Sequence, residues 1–218
     1  MSETTTATIA EHRTLNTVIH AAFRRDLGRL DGALTGFPSG SRSRADQLTA
    51  AWGNVSHQLH RHHLDEESFF WPAFLELGVE PSLIDELEGE HQQMVDALDA
   101  ADAAMAAFAT DPSASNTTAA QDAVAELRGV LNAHLAHEER DLEPFGASHH
   151  TAKQIQAAST AARKAHTEGG GTMFAWLGDT DDASVGRALR GEMPAPVLYL
   201  LTRIGGRRYR QMSKAAWG

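Results

Sequence analysis

The chain has 218 residues, of which 42% are hydrophobic, a formal net charge of −10 and no cysteine. This composition supports a sizeable hydrophobic core, argues against nucleic acid as a partner, and excludes disulfides, cysteine nucleophiles and thiolate metal ligands. The first residues do not follow the pattern of a signal peptide and no apolar run approaches the ~20 residues of a transmembrane segment, so we expect a cytoplasmic protein.

Helical patterns follow one another along the chain. Residues 8–34 carry apolar side chains at helical spacing, beginning with Ile9 and Leu15, and they predict a first helix that ends at the sequence GFPSGS. The later segments that favour helices are residues 42–77, 81–109, 117–147, 151–167 and 195–216. No stretch shows the alternation of a half-buried strand, which predicts an all-α protein.

Four of these helices are long and are joined by short breaks, which is typical of an up-down-up-down four-helix bundle. We expect residues 8–148 to form this bundle and residues 149–218 to form a helical C-terminal extension packed on it. Residues 187–218 contain seven basic side chains and one acidic side chain, so the rest of the chain is strongly acidic. The basic terminal helix can contact anionic lipid or a partner, or it can dock on the acidic bundle, and we favour docking.

Two similar motifs lie on the second and fourth helices. HRHHLDEESFFWP covers residues 60–72, and HLAHEERDLEP covers residues 134–144. At a constant offset of 72 residues, the repeated positions are His62 with His134, Glu66 with Glu138, Glu67 with Glu139, and Pro72 with Pro144. The first and third helices each offer a further histidine, His20 and His91, which are 71 residues apart. At ~1.5 Å rise per residue, this spacing predicts a helical hairpin used twice, with four histidines at one level of the bundle.

The His-x-x-x-Glu spacing places both side chains on one face of a helix. Two such glutamates that face each other inside a bundle would repel and resist burial unless cations lay between them. Imidazole and carboxylate ligands suit first-row transition metals, with carboxylates as bridges between two ions. The candidate metal ligands are therefore His20, His62, Glu66, His91, His134 and Glu138.

Several nearby residues allow other interpretations. A single His-x-x-x-Glu pair is ordinarily a surface ion pair, and only its repetition favours metal binding. His63 with Glu67, and His137 with Asp141, have the same spacing, so they are alternative ligands or groups that orient the ligands, and the role of Glu139 is equally open. The aromatic residues 69–71 are either plain core or a dry wall for the site. The histidines expected at the surface are His12, His57, His60, His149, His150 and His166.

With these residues placed, the chain resembles the hemerythrin-like (HHE cation-binding) family. The matching pieces are HAAFRRDL at His20, HHLDEESFFWP at His62, EHQQM at His91 and HLAHEERDLEP at His134, and they span about residues 8–147. The resemblance implies a four-helix bundle that holds two non-heme iron ions joined by an oxo or hydroxo bridge. It also implies small ligands, namely dioxygen, peroxide or nitric oxide.

The chain departs from the oxygen-carrying hemerythrins at two positions. Val95 stands one turn after His91, where those proteins have a second histidine, and the fourth-helix acid is Glu138 at four residues instead of an aspartate at five. These departures imply a more open second iron and favour oxidant or nitric oxide scavenging, or redox catalysis, over reversible oxygen transport. The alternative function is sensing or storage of oxygen, nitric oxide or iron without turnover. Manganese or zinc in place of iron, and a homodimer, are compatible with the sequence.

Overall fold

The computed structural model describes residues 14–166 and 169–218, and every regular element in these ranges is helical. The all-α prediction is therefore confirmed for the described part of the chain, while Ile9 and His12 lie outside it. The four long helices are α1 (Leu15–Thr35), α2 (Arg42–Asp65), α4 (Pro81–Thr110) and α5 (Ala114–Asp141). The shorter helices are α3 (Trp71–Glu76), α6 (Glu143–Ser148), α7 (Lys153–Ala165), α8 (Gly170–Leu177), α9 (Ala183–Glu192), α10 (Ala195–Leu200) and α11 (Arg207–Trp217).

The two repeated prolines interrupt the helices that carry the repeated motifs. After α2 the chain continues through one π-helical turn, Glu66–Phe70, in which the Trp71 N–H donates to the Glu66 carbonyl. Pro72 has no N–H to donate four residues back, so the ordinary α-helical bonding cannot continue through this point. After α5 the corresponding Pro144 coincides with a break at Leu142, and α6 begins at Glu143. The expected single helix over residues 117–147 is therefore two helices.

The long helices share one hydrophobic core. Helix α1 contacts α2 and α5, and α4 contacts α2 and α5, so that the four enclose a common interior. Fully buried side chains from each helix fill it, among them Phe23, Leu59, Met94 and Leu131. Polar histidine and glutamate side chains interrupt this core at one level, where the metal-ligand candidates lie.

The C-terminal segment packs on the long helices through its own apolar residues. Trp176 of α8 lies 5.1 Å from the Phe23 ring, and its indole Nε1 donates to Asp26 Oδ2 at 2.8 Å. Tyr209 of α11 is buried, and its hydroxyl donates to Asp179 Oδ2 at 2.8 Å. This part of the chain thus extends the same hydrophobic core.

The terminal helix expected over residues 195–216 is broken in two. Helix α10 ends in a second π-helical turn, Leu201–Gly205, before α11 begins. A Cβ on Gly171 of α8 would lie 2.5 Å from the Gly205 Cα, so the two backbones touch at a contact that only glycine permits. None of the described helices has the length and apolarity needed to cross a membrane.

Candidate metal centre

The six side chains singled out by the repeat come together inside the helices. Ligand atoms of one group lie within 4.8 Å of one another, and those of a second group do the same. The first group is His20, His62, Glu66 and Glu138, and the second is Glu66, His91 and His134. Glu66 belongs to both groups, and all six residues are buried. This arrangement offers two adjacent sites that share one carboxylate.

Each long helix brings its residues to the site on its inner face. His20 Nε2 lies 3.2 Å from Glu138 Oε2, which joins α1 to α5. Glu66 stands at the start of the π-helical turn and reaches two histidines, because its Oε1 lies 3.2 Å from His62 Nε2 and its Oε2 lies 3.5 Å from His91 Nε2. The π-helical turn therefore occurs where the helix must place an acid between two sites, and such turns are frequent at functional sites.

The nitrogen and oxygen atoms that could bind metal at the centre have no hydrogen-bond partner among the described residues. These buried, unpartnered atoms are the Nε2 atoms of His20, His62, His91 and His134, both carboxylate oxygens of Glu66, and Oε2 of Glu138. Leaving even one such group unsatisfied costs about 1–3 kcal/mol, so a cluster of this size would be strongly destabilising without a ligand. Nitrogen and carboxylate donors converging in a dry interior fit first-row metal ions.

Three glutamates hold the outer nitrogens of the site histidines. Glu139 Oε1 lies 3.0 Å from His20 Nδ1, and Glu67 Oε1 lies 2.9 Å from His91 Nδ1. Glu90 Oε2 lies 2.9 Å from His134 Nδ1. A carboxylate at Nδ1 favours the tautomer with its proton there, which leaves Nε2 free to bind a metal ion. Glu67 and Glu139 occupy the repeated positions for which the sequence left open whether they bind a metal or orient its ligands.

Two of these outer carboxylates are themselves held by further side chains. Arg24 donates to both oxygens of Glu139, at 2.6 and 3.1 Å. His137 Nδ1 lies 2.7 Å from Glu90 Oε1, so one carboxylate serves both His134 and His137. His137 Nε2 in turn lies 3.2 Å from Asp141 Oδ2, which makes this pair part of the outer network.

Burial and neighbouring charges shift the pKa values of the histidines and glutamates at the site. Burial, reinforced by His134, lowers the pKa of His91 to about 3, and burial likewise holds the pKa of His62 well below its usual value. Burial and the neighbouring Glu138 raise the pKa of Glu66 well above its usual range. Burial also acts against a charged His20, but the nearby carboxylates of Glu138 and Glu139 raise its pKa to about 9. The two acids thus oppose joint ionisation in the absence of a cation.

Aromatic rings wall the second group of ligands. The Trp71 ring lies 4.4 Å from the His91 ring at an angle of 32°, and the His63 ring lies 4.2 Å from it at a similar angle. His63 is buried, and its Nε2 has no hydrogen-bond partner in the described part of the chain, so it is a fifth histidine nitrogen at the centre. Phe69 and Phe70 pack instead against α7, so of residues 69–71 it is Trp71 that contacts a site histidine.

A cavity of about 590 Å³ reaches the first group of ligands, where it is bordered by His62, Glu66 and Glu138. Glu143 also lines it and accepts a hydrogen bond from Asn16 Nδ2 at 3.1 Å. The same amide lies 3.3 Å from Glu138 Oε1, so Asn16 links the two carboxylates. Burial raises the pKa of Glu143, which makes it a more readily protonated acid beside the site.

The remaining histidines lie mostly away from the centre. His57, His60 and His150 are exposed, in agreement with the surface positions expected for them. His149 stacks on Phe145 with ring centroids 4.1 Å apart. His166 differs from the expectation, because it is partly buried and its Nε2 lies 2.6 Å from Asp65 Oδ1.

Comparison with protein-family models places most of the chain in a known family. The family model described as the hemerythrin HHE cation binding domain matches residues 10–146, which include all six candidate ligands. No curated protein and no solved structure matches the chain.

Proposed function

Because the chain belongs to the hemerythrin HHE cation-binding domain family, we propose that it is a non-heme di-iron protein that binds or reacts with dioxygen, peroxide or nitric oxide, as an oxidant or nitric oxide scavenger or a redox enzyme. The observation that carries this proposal is the cluster of buried donor atoms without hydrogen-bond partners among the described residues. Two facing carboxylates in a dry interior need cations to neutralise them.

The proposed ligands divide between two iron ions. His20, His62 and Glu138 would hold the first and His91 and His134 the second, with Glu66 shared between them. Bound iron would supply one-electron redox chemistry, which none of the chain's own side chains at the site provides. As part of the same proposal, the four long helices run up-down-up-down, with residues 149–218 as an extension packed on them, in a cytoplasmic protein that can form a homodimer.

The surrounding side chains have distinct tasks in this proposal. Glu139, Glu67 and Glu90 orient the histidines through Nδ1, and Trp71 keeps water from His91. Glu143 can hold a proton on its carboxyl group at the edge of the cavity, one hydrogen bond from Asn16. Open access through the cavity to His62, Glu66 and Glu138 supports reaction with small molecules.

One chain of contacts favours the second candidate function, sensing. The Phe23 ring lies 5.5 Å from the His62 ring and 5.1 Å from the Trp176 ring of the C-terminal segment. A change at His62 on ligand binding would therefore reach a residue outside the long helices through one intervening ring. A sensor would use this contact to shift the C-terminal segment, whereas an enzyme would not require it.

A measurement of turnover distinguishes the two proposed functions. The protein is loaded with iron under anaerobic conditions, its iron content is measured, and peroxide is added while oxygen evolution and near-ultraviolet absorption are followed. Many equivalents of peroxide consumed per chain support the enzyme or scavenger. A single stoichiometric spectral change supports the binding protein. Fewer than two iron ions per chain after loading would contradict both.

A further inference from the structure

The cavity beside the metal ligands is built partly by the C-terminal segment. Its floor includes His62 and Glu66, while Ile155, Met173 and Trp176 line its other side. These last three residues lie beyond residue 146, where the family match ends. The cavity is therefore a feature of this chain and does not follow from membership of the family. Its volume of about 590 Å³ lies within the ~300–1,000 Å³ typical of small-molecule sites.

An arginine that makes no hydrogen bond to another described side chain or carbonyl lines this cavity. The Arg61 side chain is only 14% exposed, and its one ionic neighbour among the described residues is Asp65, whose Oδ2 lies 3.9 Å from Nε. That separation is too long for a hydrogen bond. The other oxygen of Asp65 is already engaged by His166 Nε2 at 2.6 Å. The guanidinium therefore has N–H donors to offer to the cavity and no hydrogen-bond acceptor within the described part of the chain.

Acidic side chains also line the cavity, but none of those described accepts a hydrogen bond from Arg61. Glu143 accepts hydrogen bonds from Thr14 and Asn16, and Glu138 faces the metal-ligand cluster. Glu192 is exposed, so water solvates its charge. These acids are engaged or solvated, whereas Arg61 has no acceptor among the described residues, so Arg61 decides the charge of the ligand that fits.

The walls next to Arg61 are apolar. Phe70 and Phe74 line the cavity from the helical side, and Ile155 and Met173 line it from the C-terminal segment. Arg163 of α7 adds a second positive charge on that segment. A ligand that matches this surface has one anionic group and an apolar body.

We propose that this cavity binds a small amphipathic carboxylate, with its carboxylate on the Arg61 guanidinium and its apolar body between Phe70, Phe74 and Ile155. A planar guanidinium matches a carboxylate through paired hydrogen bonds, which explains the choice of a carboxylate over a neutral polar group. The inference rests on the proposed function only for the idea that the ligand lies beside iron. Binding itself requires only the cavity and Arg61.

The test measures binding of 4-phenylbutanoate to the full-length, iron-loaded protein by isothermal titration calorimetry. The uncharged analogue 4-phenylbutan-1-ol reports the contribution of the carboxylate, and acetate reports direct coordination of iron without an apolar body. We expect 4-phenylbutanoate to bind at least ~10-fold more tightly than either. Arg61→Gln should remove this advantage over the alcohol, whereas the matched control Arg208→Gln, at an exposed position outside the cavity, should keep it.

A second variant keeps the test decisive if Arg61→Gln fails to fold. Ser159→Phe fills the cavity from α7 and should weaken binding of both the acid and the alcohol. Equal binding of 4-phenylbutanoate to the wild type and Arg61→Gln, or acetate binding as tightly, would overturn the inference, as would no binding at millimolar concentration. Iron content is measured on every sample. A protein that lacks iron refutes the proposed function, whereas one with two iron ions that binds no carboxylate refutes only this inference.

Discussion

The shared carboxylate Glu66 gives the sharpest test of the centre, because it belongs to both groups of ligand atoms. Glu66→Gln keeps the shape of the side chain and removes its charge. The second group would fall from three donors to two and the first from four to three. We therefore expect the iron content to fall from two ions per chain to one or none. The matched control Glu67→Gln, next to it in sequence, changes a carboxylate that lies at the outer nitrogen of His91 and belongs to neither ligand group, so this variant should keep two ions with weaker affinity.

The same substitution should have opposite effects on stability with and without iron. In the metal-free protein, Glu66 is a buried acid whose pKa is raised by burial and by Glu138, and glutamine relieves that conflict by about 1–2 kcal/mol. In the iron-loaded protein, loss of one site forfeits the stabilisation by bound metal, about 4 kcal/mol at a free metal concentration ~1,000-fold above Kd. At ~2–4 °C per kcal/mol for a chain of this size, the melting temperature should rise by about 2–8 °C without iron and fall by ~8–16 °C with it.

Differential scanning calorimetry on matched metal-free and iron-loaded samples, with iron quantified by mass spectrometry, measures both effects. A lower melting temperature for metal-free Glu66→Gln, together with two retained iron ions, would refute the reasoning. It would mean that Glu66 is a structural acid satisfied by the protein alone.

Three further predictions concern the outer network and the C-terminal segment. Glu139→Gln should lower iron affinity by ~10–100-fold in a competition titration with a chelator, because His20 loses the carboxylate at Nδ1, while the exposed Glu76→Gln should not. Gly171→Ala should destabilise the protein by ~1–3 kcal/mol in urea unfolding, because its Cβ would meet Gly205, whereas Gly170→Ala has no atom within 4 Å and should be neutral. Asp179→Asn should destabilise by about 1–2 kcal/mol at pH 7, because hydrogen bonds from Ser213 and Tyr209 outweigh burial and hold the Asp179 pKa below its usual 3.8. That difference should disappear as the pH falls below ~4, since a lowered pKa stabilises the fold only where the acid is ionised.

The sequence was sufficient to single out the six residues of the two ligand groups, although not His63, because their spacing has a simple geometric meaning. Four residues make about one helical turn, so His62 and Glu66 had to share a face, and the offset of 72 carried the same geometry to His134 and Glu138. The partners of the outer carboxylates were harder to predict from the sequence. Glu67 and Glu139 obey the same offset, but which histidine each would reach depends on the neighbouring helix, and that is a tertiary relation.

The interruptions of the helices were not predicted, although their cause is visible in the sequence. Pro72 marks a place where helical bonding must change, but periodicity alone does not distinguish a π-helical turn from a helix end. Helix α8 was missed for a different reason. It begins with glycines, which disfavour helices, and it is held by Trp176 and by the contact between Gly171 and Gly205, which are long-range interactions.

The two halves of the centre are related by the repeat but differ in one outer contact. Glu139 of the fourth long helix holds His20, and Glu67 of the π-helical turn that follows the second holds His91, as a two-fold relation requires. Glu90, the residue before His91, holds His134. The residue before His20 is Ile19, which cannot accept a hydrogen bond from His62. Among the described residues, His62 therefore has no counterpart of the carboxylate that makes His134 a more basic ligand, and of the four ligand histidines it is His62 that borders the cavity of about 590 Å³. The weaker support thus falls on the ligand group that this cavity reaches, so under the proposed function we expect a metal ion held there to exchange more easily than one held by His91 and His134.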